Sequence, residues 1–170
     1  MFVSDGVISA QDRAQGGGAC QARLPAGEVY LTPVPGTAEG RIVAARQHFL
    51  DKDVAGLSLS FRAGKLVEMS AKSGIAPLLA RYGAADSRRD EFGLIDIGIN
   101  SKVRRPAGSR MDSFVPAGTV ALGFGNNLWA GGDNRSDFGW ACILTGATVT
   151  IDGRPLVTNG ALDPSLGVSQ

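Results

Sequence analysis

Apolar and polar residues alternate along much of the chain, a pattern typical of short β-strands. The clearest case is residues 54–61, where Leu57, Leu59 and Phe61 recur at every second position and share one face of the predicted strand. The segment 62–64 ends in a glycine and predicts a three-residue hairpin loop with that glycine in the left-handed conformation. The chain is therefore expected to return as an antiparallel strand after this loop.

Further strands are predicted where short apolar runs are bounded by Gly, Pro, Asn or Asp. Asp152-Gly153 lies between two such runs, and an Asp-Gly pair in that context is the strongest short-range signal for a hairpin. The further predicted strands cover residues 28–32, 41–45, 65–70, 93–99, 119–124, 147–151 and 155–157, and residues 140–144 are apolar.

One helix is predicted among these strands. Pro77 fits only into the first turn of a helix, so this helix should begin near Ala76, and Gly83 supplies its end. About seven or eight strands against one or two short helices predict an α+β fold, a strand-rich, mostly antiparallel sheet or barrel-like domain. The apolar residues at helical spacing are Ile75, Leu78, Leu79 and Tyr82.

Composition narrows the class of protein. A chain of 170 residues has the length of one domain, and we expect residues 1–170 to form a single domain. Its 24 glycines, about twice the usual share, indicate many tight turns. The formal net charge of +1, from 17 basic and 16 acidic residues, includes no basic cluster, so neither nucleic acid nor a membrane is an expected partner.

The expected compartment follows from segments that the sequence lacks. No apolar run reaches the ~18 residues of a transmembrane helix. The N-terminal residues show neither the basic nor the apolar region of a signal peptide, so the cytoplasm is the expected location. Cys20 and Cys142 lie among small or apolar residues and are expected to be buried free thiols.

Two acidic residues in predicted strands are candidates for a metal or proton site. Glu28 and Asp96 could project into one cavity, where paired carboxylates bind a cation or share a proton. Alternatively, each is a partly exposed or capping residue, and Glu28 simply faces water from an alternating strand. The sequence alone leaves both interpretations open.

A second candidate is the loop of residues 131–137, which is rich in Gly, Asp, Asn and Ser. Asp133, Asn134 and Asp137 offer oxygen atoms to a ligand, and the glycines allow the backbone to approach it. A hydrogen-bonded turn explains the same composition without a ligand. The spacing does not match an EF-hand loop.

Two other features argue against common kinds of site. His48 is the only histidine, so a multi-histidine zinc site cannot form within the chain, and its apolar neighbours favour a packing role. The Gly-rich segment 123–127 is not followed by a helical pattern, which excludes a dinucleotide-binding fingerprint.

Several segments, taken in order, resemble the thermophilic metallo-aminopeptidases of the aminopeptidase S and T types. LPAGEVYLTP at 24–33 with GTAEG at 36–40 is similar to their PAGEV-x-x-x-P…EG segment, and FRAGKLVE at 61–68 to their F-x-x-G-K-V-V-E hairpin. IGIN at 97–100, GTVALG at 118–123 and GGDNRS at 131–136 resemble their LG-x-N, GT-x-H-x-A and GG-x-N-x-S motifs. The segments are colinear over about residues 24–162, so their order strengthens the match.

The resemblance implies a C-terminal domain of that family, with the N-terminal domain absent. Family members hold two divalent metals there, cleave N-terminal residues from peptides and form dimers, so a homo-oligomer is expected. Their ligands are two glutamates, two histidines and an aspartate, beside a tyrosine. Glu28 matches the first glutamate, the second falls near Asp96 or at Glu91, and the tyrosine falls near Leu128 or Trp129.

Three of the implied ligand positions carry side chains that cannot coordinate a metal. The histidine of GT-x-H falls on Ala121, and a histidine–aspartate pair falls on Gly139 and Ala141. A related branch of ring-opening dioxygenases uses the same positions, so the substitutions count against that activity as well. The divalent metal of the family is therefore expected to bind weakly or not at all, as at most one hard cation near Glu28.

Two hypotheses about function follow. The first is a leucyl aminopeptidase-like homologue that has lost metal-dependent peptidase activity, has no catalytic residue, and acts as an oligomerisation module or binds a peptide or small molecule. The second is an active metallo-aminopeptidase that hydrolyses the N-terminal residues of peptides at a rearranged metal site. That site would be built from Glu28, Asp96, Asp133 and Asp137.

Overall fold

The α+β fold predicted from the sequence is confirmed by a computed structural model, which describes residues 2–4, 7–16, 26–109 and 115–166. The helices are α1 (Ala10–Gln15) and α2 (Ala76–Gly83), with 3₁₀ turns at Leu128–Ala130 and Pro164–Leu166. The strands are β1 (Phe2–Ser4), β2 (Glu28–Leu31), β3 (Gly40–Phe49), β4 (Lys52–Arg62), β5 (Lys65–Ser70), β6 (Phe92–Gly98), β7 (Val120–Gly125), β8 (Gly139–Leu144), β9 (Val149–Ile151), β10 (Arg154–Thr158) and β11 (Ala161–Leu162).

The strands form three sheets. A five-stranded sheet has the order β1-β2-β6-β7-β8, and two three-stranded sheets have the orders β3-β4-β5 and β11-β10-β9. The chain divides into two compact units. The first unit comprises Met1–Leu31, Ile95–Ala121 and Ile143–Gln170, and the second unit comprises Thr32–Leu94 and Leu122–Cys142.

In the first unit, β2 pairs antiparallel with β1 and with the end of β6. The predicted hairpin at Asp152-Gly153 is confirmed, because both residues adopt positive φ angles and join β9 to β10. Val157 of β10 is completely buried and anchors this hairpin in the core of the unit. Apolar strand residues thus hold both sheet segments of the first unit in place.

In the second unit, β3 and β4 form the longest ladder, and β5 pairs with the other side of β4. The inward face predicted for β4 is confirmed, since Leu57 and Leu59 are completely buried and Phe61 is almost so. The buried face changes side at Gly56, whose φ of +60° interrupts the regular pleat, and Val54 is the buried residue beyond it. A single strand therefore contributes to the core from both of its faces.

The predicted three-residue loop between β4 and β5 is wrong by one residue. Arg62 pairs directly with Lys65, so the loop consists of Ala63 and Gly64, and both have positive φ angles. A register shift between Ser60 and Phe61 takes up the extra residue. The turn is thus the two-residue type that matches the twist of a β-hairpin, with alanine at a position that usually favours Gly or Asn.

Helix α2 begins at Ala76 and ends at Gly83, as predicted, with Pro77 in its first turn. Leu78 is its completely buried residue. Helix α1 was not predicted because its residues are exposed and have no apolar periodicity; a capping box between Ser9 and Asp12 holds its first turn. Both helices are shorter than the length at which an isolated helix is stable, so local caps and packing are required.

Aromatic rings form the centre of the core in the second unit. Phe124 is 2% exposed, and its ring centroid lies 5.5–6.2 Å from those of four other aromatic residues. Most of these contacts are edge-to-face, the arrangement that the aromatic quadrupole favours. The four neighbours are Phe61, Tyr82, Phe138 and Trp140.

The cysteines and the exposed apolar residues are described next. Cys142 is a buried free thiol, as expected, whereas Cys20 lies outside the described residues. Leu128 is 40% exposed, and Trp129 beside it is half-buried. None of the helices in the described ranges is long and apolar enough to span a membrane.

Removal of the central ring should destabilise the fold strongly. We expect Phe124→Ala to lower the free energy of unfolding by about 3–5 kcal/mol, because the cavity it creates lies among rings that cannot collapse into it. Leu79→Ala is the control, since Leu79 is 43% exposed on α2, and it should change stability by less than about 0.5 kcal/mol. Urea unfolding measures both, and equal effects of the two variants would contradict this account of the core.

Candidate functional site

The structure brings Glu28 and Asp96 to the same face of one sheet segment. Asp96 pairs with Tyr30, and Glu28 pairs with Gly98, so the two acids are diagonal neighbours on adjacent antiparallel strands. Residues directly opposite each other share a face, and residues two apart along a strand do as well. Asp96 is 6% exposed, whereas Glu28 is half-buried. The first unit therefore has a face with two carboxylates, one of them deeply buried.

The three positions to which the resemblance assigns further ligands offer no donor atom. Ala121 is buried in β7, and Gly139 and Ala141 lie on β8. Within the described part of the chain, no three or more His, Cys, Asp and Glu residues group so as to hold a metal ion. The donor set of this chain therefore does not fit the metal pair of the family.

The loop of residues 131–137 is fixed by buried hydrogen bonds. Asn134 is 2% exposed, and its Nδ2 donates to the main-chain oxygens of Arg88, at 2.9 Å, and Gly125, at 2.8 Å. The N–H of Asn134 donates to Oδ1 of Asn127 at 2.9 Å, and Nδ2 of Asn127 donates to the main-chain oxygen of Gly93 at 3.1 Å. Asn134 thus has a structural role at the loop, whatever ligand the loop contacts.

Asp86 receives a second set of hydrogen bonds from this loop. The hydroxyl of Ser136 donates to Oδ1 of Asp86 at 2.8 Å, and the N–H of Asp137 donates to Oδ2 at 3.0 Å. The Ser136 hydroxyl is the largest of the causes that hold the pKa of Asp86 below its ordinary value; the N–H groups of Asp137 and Arg88 act in the same direction. The side chain of Asp137 itself is exposed.

A cavity of about 580 Å³ lies entirely within the second unit. Its lining includes the loop 32–36, residues 63–65 and Phe92. Arg88, Glu91, Asn127 and residues 131–134, among them the candidate Asp133, also line it. This size falls in the range of about 300–1,000 Å³ that is typical of small-molecule sites. The cavity is the main candidate for a ligand site in this unit.

Charged side chains in the cavity form a connected row. Both terminal oxygens of Glu91 accept hydrogen bonds from Arg88, at 3.2 and 3.1 Å, and these bonds raise the pKa of Arg88 above its ordinary value. Arg88 also donates to the main-chain oxygen of Asp133 at 3.2 Å, and the carboxylate of Asp133 lies 3.9 Å away. Lys65 lies directly opposite Glu91 across an antiparallel bridge. The row therefore runs Lys65, Glu91, Arg88, Asp133 with alternating charge, where a backbone bridge joins the first two residues and side-chain contacts join the others.

Sequence reasoning identified Asp133 and Asn134 but missed Lys65, Arg88 and Asn127. Charged residues in connecting segments carry no local pattern that marks them as site residues. Glu91, the alternative for the second metal-binding glutamate, is engaged by Arg88. The three missed residues come together only through long-range pairing.

His48, expected to pack against apolar neighbours, also contacts a carboxylate. Its Nδ1 lies 2.7 Å from Oδ1 of Asp53, its partner across the β3–β4 ladder, and its side chain is 12% exposed. Arg46 binds the other oxygen of the same carboxylate. Asp53 is thus shared between an arginine and the only histidine of the chain.

Comparison with known proteins identifies the family. The profile of the thermophilic metalloprotease (M29) family matches residues 7–93, just over half of the chain, and the chain therefore belongs to that family. Among solved structures, it is similar to 2,5-dihydroxypyridine dioxygenase from Pseudomonas putida KT2440, with a TM-score of 0.62, 16% identity and 79% of this chain covered. The match spans only 42% of that enzyme, so it shows a shared fold and nothing more. No curated protein matches.

The contribution of Asp86 to folding stability should depend on pH. A carboxylate whose pKa is lowered by folding stabilises the folded state above its unfolded pKa of about 3.9, and this contribution is lost as the pH falls through its folded pKa. Ser136→Ala removes the largest cause of the lowered pKa. The stability difference between this variant and the wild type should therefore be greatest near neutral pH and shrink below about pH 4.

Urea unfolding between acidic and neutral pH tests this expectation. Asp137→Asn is the matched control, since it removes a neighbouring exposed carboxylate but leaves the N–H that binds Asp86. Its stability difference should vary little with pH. A pH-independent effect of Ser136→Ala would show that the hydroxyl does not act through the Asp86 carboxylate.

Proposed function

We propose that this member of the metalloprotease family has lost metal-dependent peptidase activity and acts as a ligand-binding module. The observation that carries this proposal is the side chains at three family ligand positions. Ala121, Gly139 and Ala141 offer no nitrogen or oxygen atom to a metal. A catalytic divalent site normally needs about three protein ligands and an open position, and a two-metal site needs more.

The carboxylates that remain are insufficient for peptide hydrolysis. Glu28 could act as a general base, but such catalysis contributes only about 10²–10⁴-fold. Enzymes typically accelerate their reactions by about 10⁶–10¹⁷-fold. His48 contacts Asp53 across the β3–β4 ladder, and the proposal gives it no catalytic role. The proposal therefore assigns no catalytic residue to the chain.

The binding half of the proposal rests on the cavity of the second unit. The hydrogen bonds of Asn127 and Asn134 fix one side of it, and these do not involve the former ligand positions. A preformed cavity lowers the entropic cost of binding, because little of the protein has to be ordered around the ligand. The loss of metal ligands thus leaves a site that can still bind a peptide or a small molecule.

The alternative is an active metallo-aminopeptidase with a rearranged site. The observation that favours it is the shared face of Glu28 and Asp96, which gives two carboxylates to a hard cation. Asp133 and Asp137 would have to complete the site, but the carboxylate of Asp133 lies beside Arg88 in the cavity. We therefore place this function second.

The activity prediction separates the two functions. We expect no turnover of leucyl or other aminoacyl chromogenic substrates, with or without added zinc, cobalt or manganese, because the chain lacks the ligands of a catalytic metal. Metal content after dialysis should be measured on the same sample. Metal-dependent turnover that Glu28→Gln abolishes would overturn the proposal and support the rearranged site.

Restoration of the family ligands is the converse experiment. The triple variant Ala121→His, Gly139→His, Ala141→Asp should gain tight zinc binding even where catalysis remains weak, because it returns two imidazoles and a carboxylate to the positions that the resemblance assigns to ligands. A triple variant with glutamine at positions 121 and 139 and asparagine at 141 controls for side-chain volume. Circular dichroism checks that both remain folded, and equal zinc affinity of the two variants would show that these positions do not share a metal site.

A further inference from the structure

The charged row in the cavity has ends that differ from its middle. Glu91 and Arg88 saturate each other through two hydrogen bonds, and their side chains are 23% and 43% exposed. The outer members are more accessible, at 57% for Lys65 and 82% for Asp133. The row therefore presents one accessible cation and one accessible carboxylate, separated by a neutralised pair.

Both ends of the row retain capacity for a ligand. The nearest acidic oxygen to the Lys65 ammonium belongs to Asp90 at 3.9 Å, and the Asp133 carboxylate lies 3.9 Å from Arg88. Both distances exceed the 2.7–2.9 Å or so of a charge-assisted hydrogen bond. A ligand group could therefore approach either end more closely than the protein partner does.

The remainder of the cavity restricts the ligand further. Two cations and two carboxylates give the lining no net charge, so a polyanion such as a nucleotide gains nothing from it. The lining of the cavity also includes four apolar residues, Pro33, Val34, Pro35 and Phe92. A complementary ligand is neutral overall, charged at both ends and apolar between them.

We propose that this cavity binds a small zwitterion whose ammonium and carboxylate are separated by an apolar spacer, the chemistry of an ω-amino acid. The ammonium group lies at Asp133, the carboxylate lies at Lys65, and the spacer contacts Pro33 and Phe92. An α-amino acid is too short for this role, because Glu91 and Arg88 lie between the two ends of the row. The inference rests on the proposed binding function and specifies its ligand class.

Four compounds with the same six-carbon chain test the inference. The probes are 6-aminohexanoate, hexanoate, hexylamine and the uncharged hexanamide, titrated to about 10 mM and followed by amide chemical shifts of the cavity residues. We expect 6-aminohexanoate to bind about two- to fivefold more tightly than either singly charged compound, the range of an exposed ion pair. This advantage should decrease as salt is added.

Variants assign each charge to its end of the row. Asp133→Asn should weaken 6-aminohexanoate and hexylamine by about two- to fivefold and leave hexanoate unchanged, and Lys65→Gln should do the reverse. Asp137→Asn and Lys52→Gln are matched controls, because both residues are exposed and neither lines the cavity. The four substitutions are at exposed positions, so thermal unfolding should show folded proteins in every case.

Each contrary outcome has a distinct meaning. Hexanamide binding as tightly as 6-aminohexanoate would overturn the zwitterion inference but leave a binding role for the cavity. A failure of all four probes to shift the cavity residues would remove the inference and also this evidence for binding. Neither result bears on the loss of peptidase activity, which the aminoacyl substrates and metal analysis test separately.

Discussion

The buried side-chain amide of Asn134 holds together the segments from which the cavity is built. Its two donated hydrogen bonds end on the main chain of Arg88 and of Gly125, so one side chain joins a connecting segment to a strand end. Asn127 secures the same loop from the other side. Buried polar groups are costly when they are not hydrogen-bonded, so the arrangement of these segments is favoured because it pairs the amide nitrogens of Asn127 and Asn134.

The charged row depends on the same arrangement. Arg88 can contact both Glu91 and the main chain of Asp133 because its own carbonyl is held by Asn134. Without these hydrogen bonds the guanidinium of Arg88 would be solvated by water instead. The distance between Lys65 and Asp133, the exposed ends of the row, would then no longer be fixed. The buried amides therefore determine the position of the loop, and the position of the loop determines where the charged side chains lie in the cavity.

Local pattern predicted those parts of the fold that local interactions determine. The inward face of β4, the limits of α2 and the Asp152-Gly153 turn each depend on residues that are close in sequence. The length of β3 was underestimated. Its continuation to Phe49 pairs with β4, but it carries charged and polar residues that do not alternate with apolar ones. Ladder partners supply that strand's stability, and no short window of sequence contains them.

The candidate site divides along the same line. Glu28 and Asp96 could be named from their strands, although their shared face required the register of β2 against β6. Lys65 is the first residue of β5 and Arg88 lies in a connecting segment, and charged residues at such positions are ordinarily solvated. Their proximity arises from an isolated bridge and from side-chain bonds between distant segments, which residue type and spacing do not encode.

The separation of the loop's hydrogen bonds from the proposed ligand positions has a consequence for how such a chain can diverge. Ala121, Gly139 and Ala141 contribute no side-chain hydrogen bond to the amide network, so the network does not require a metal ligand at any of them. Selection for catalysis and selection for a stable fold then act on different residues. A lineage can discard its chemistry one substitution at a time and retain an intact cavity, on which selection for a new specificity can act without first rebuilding a fold.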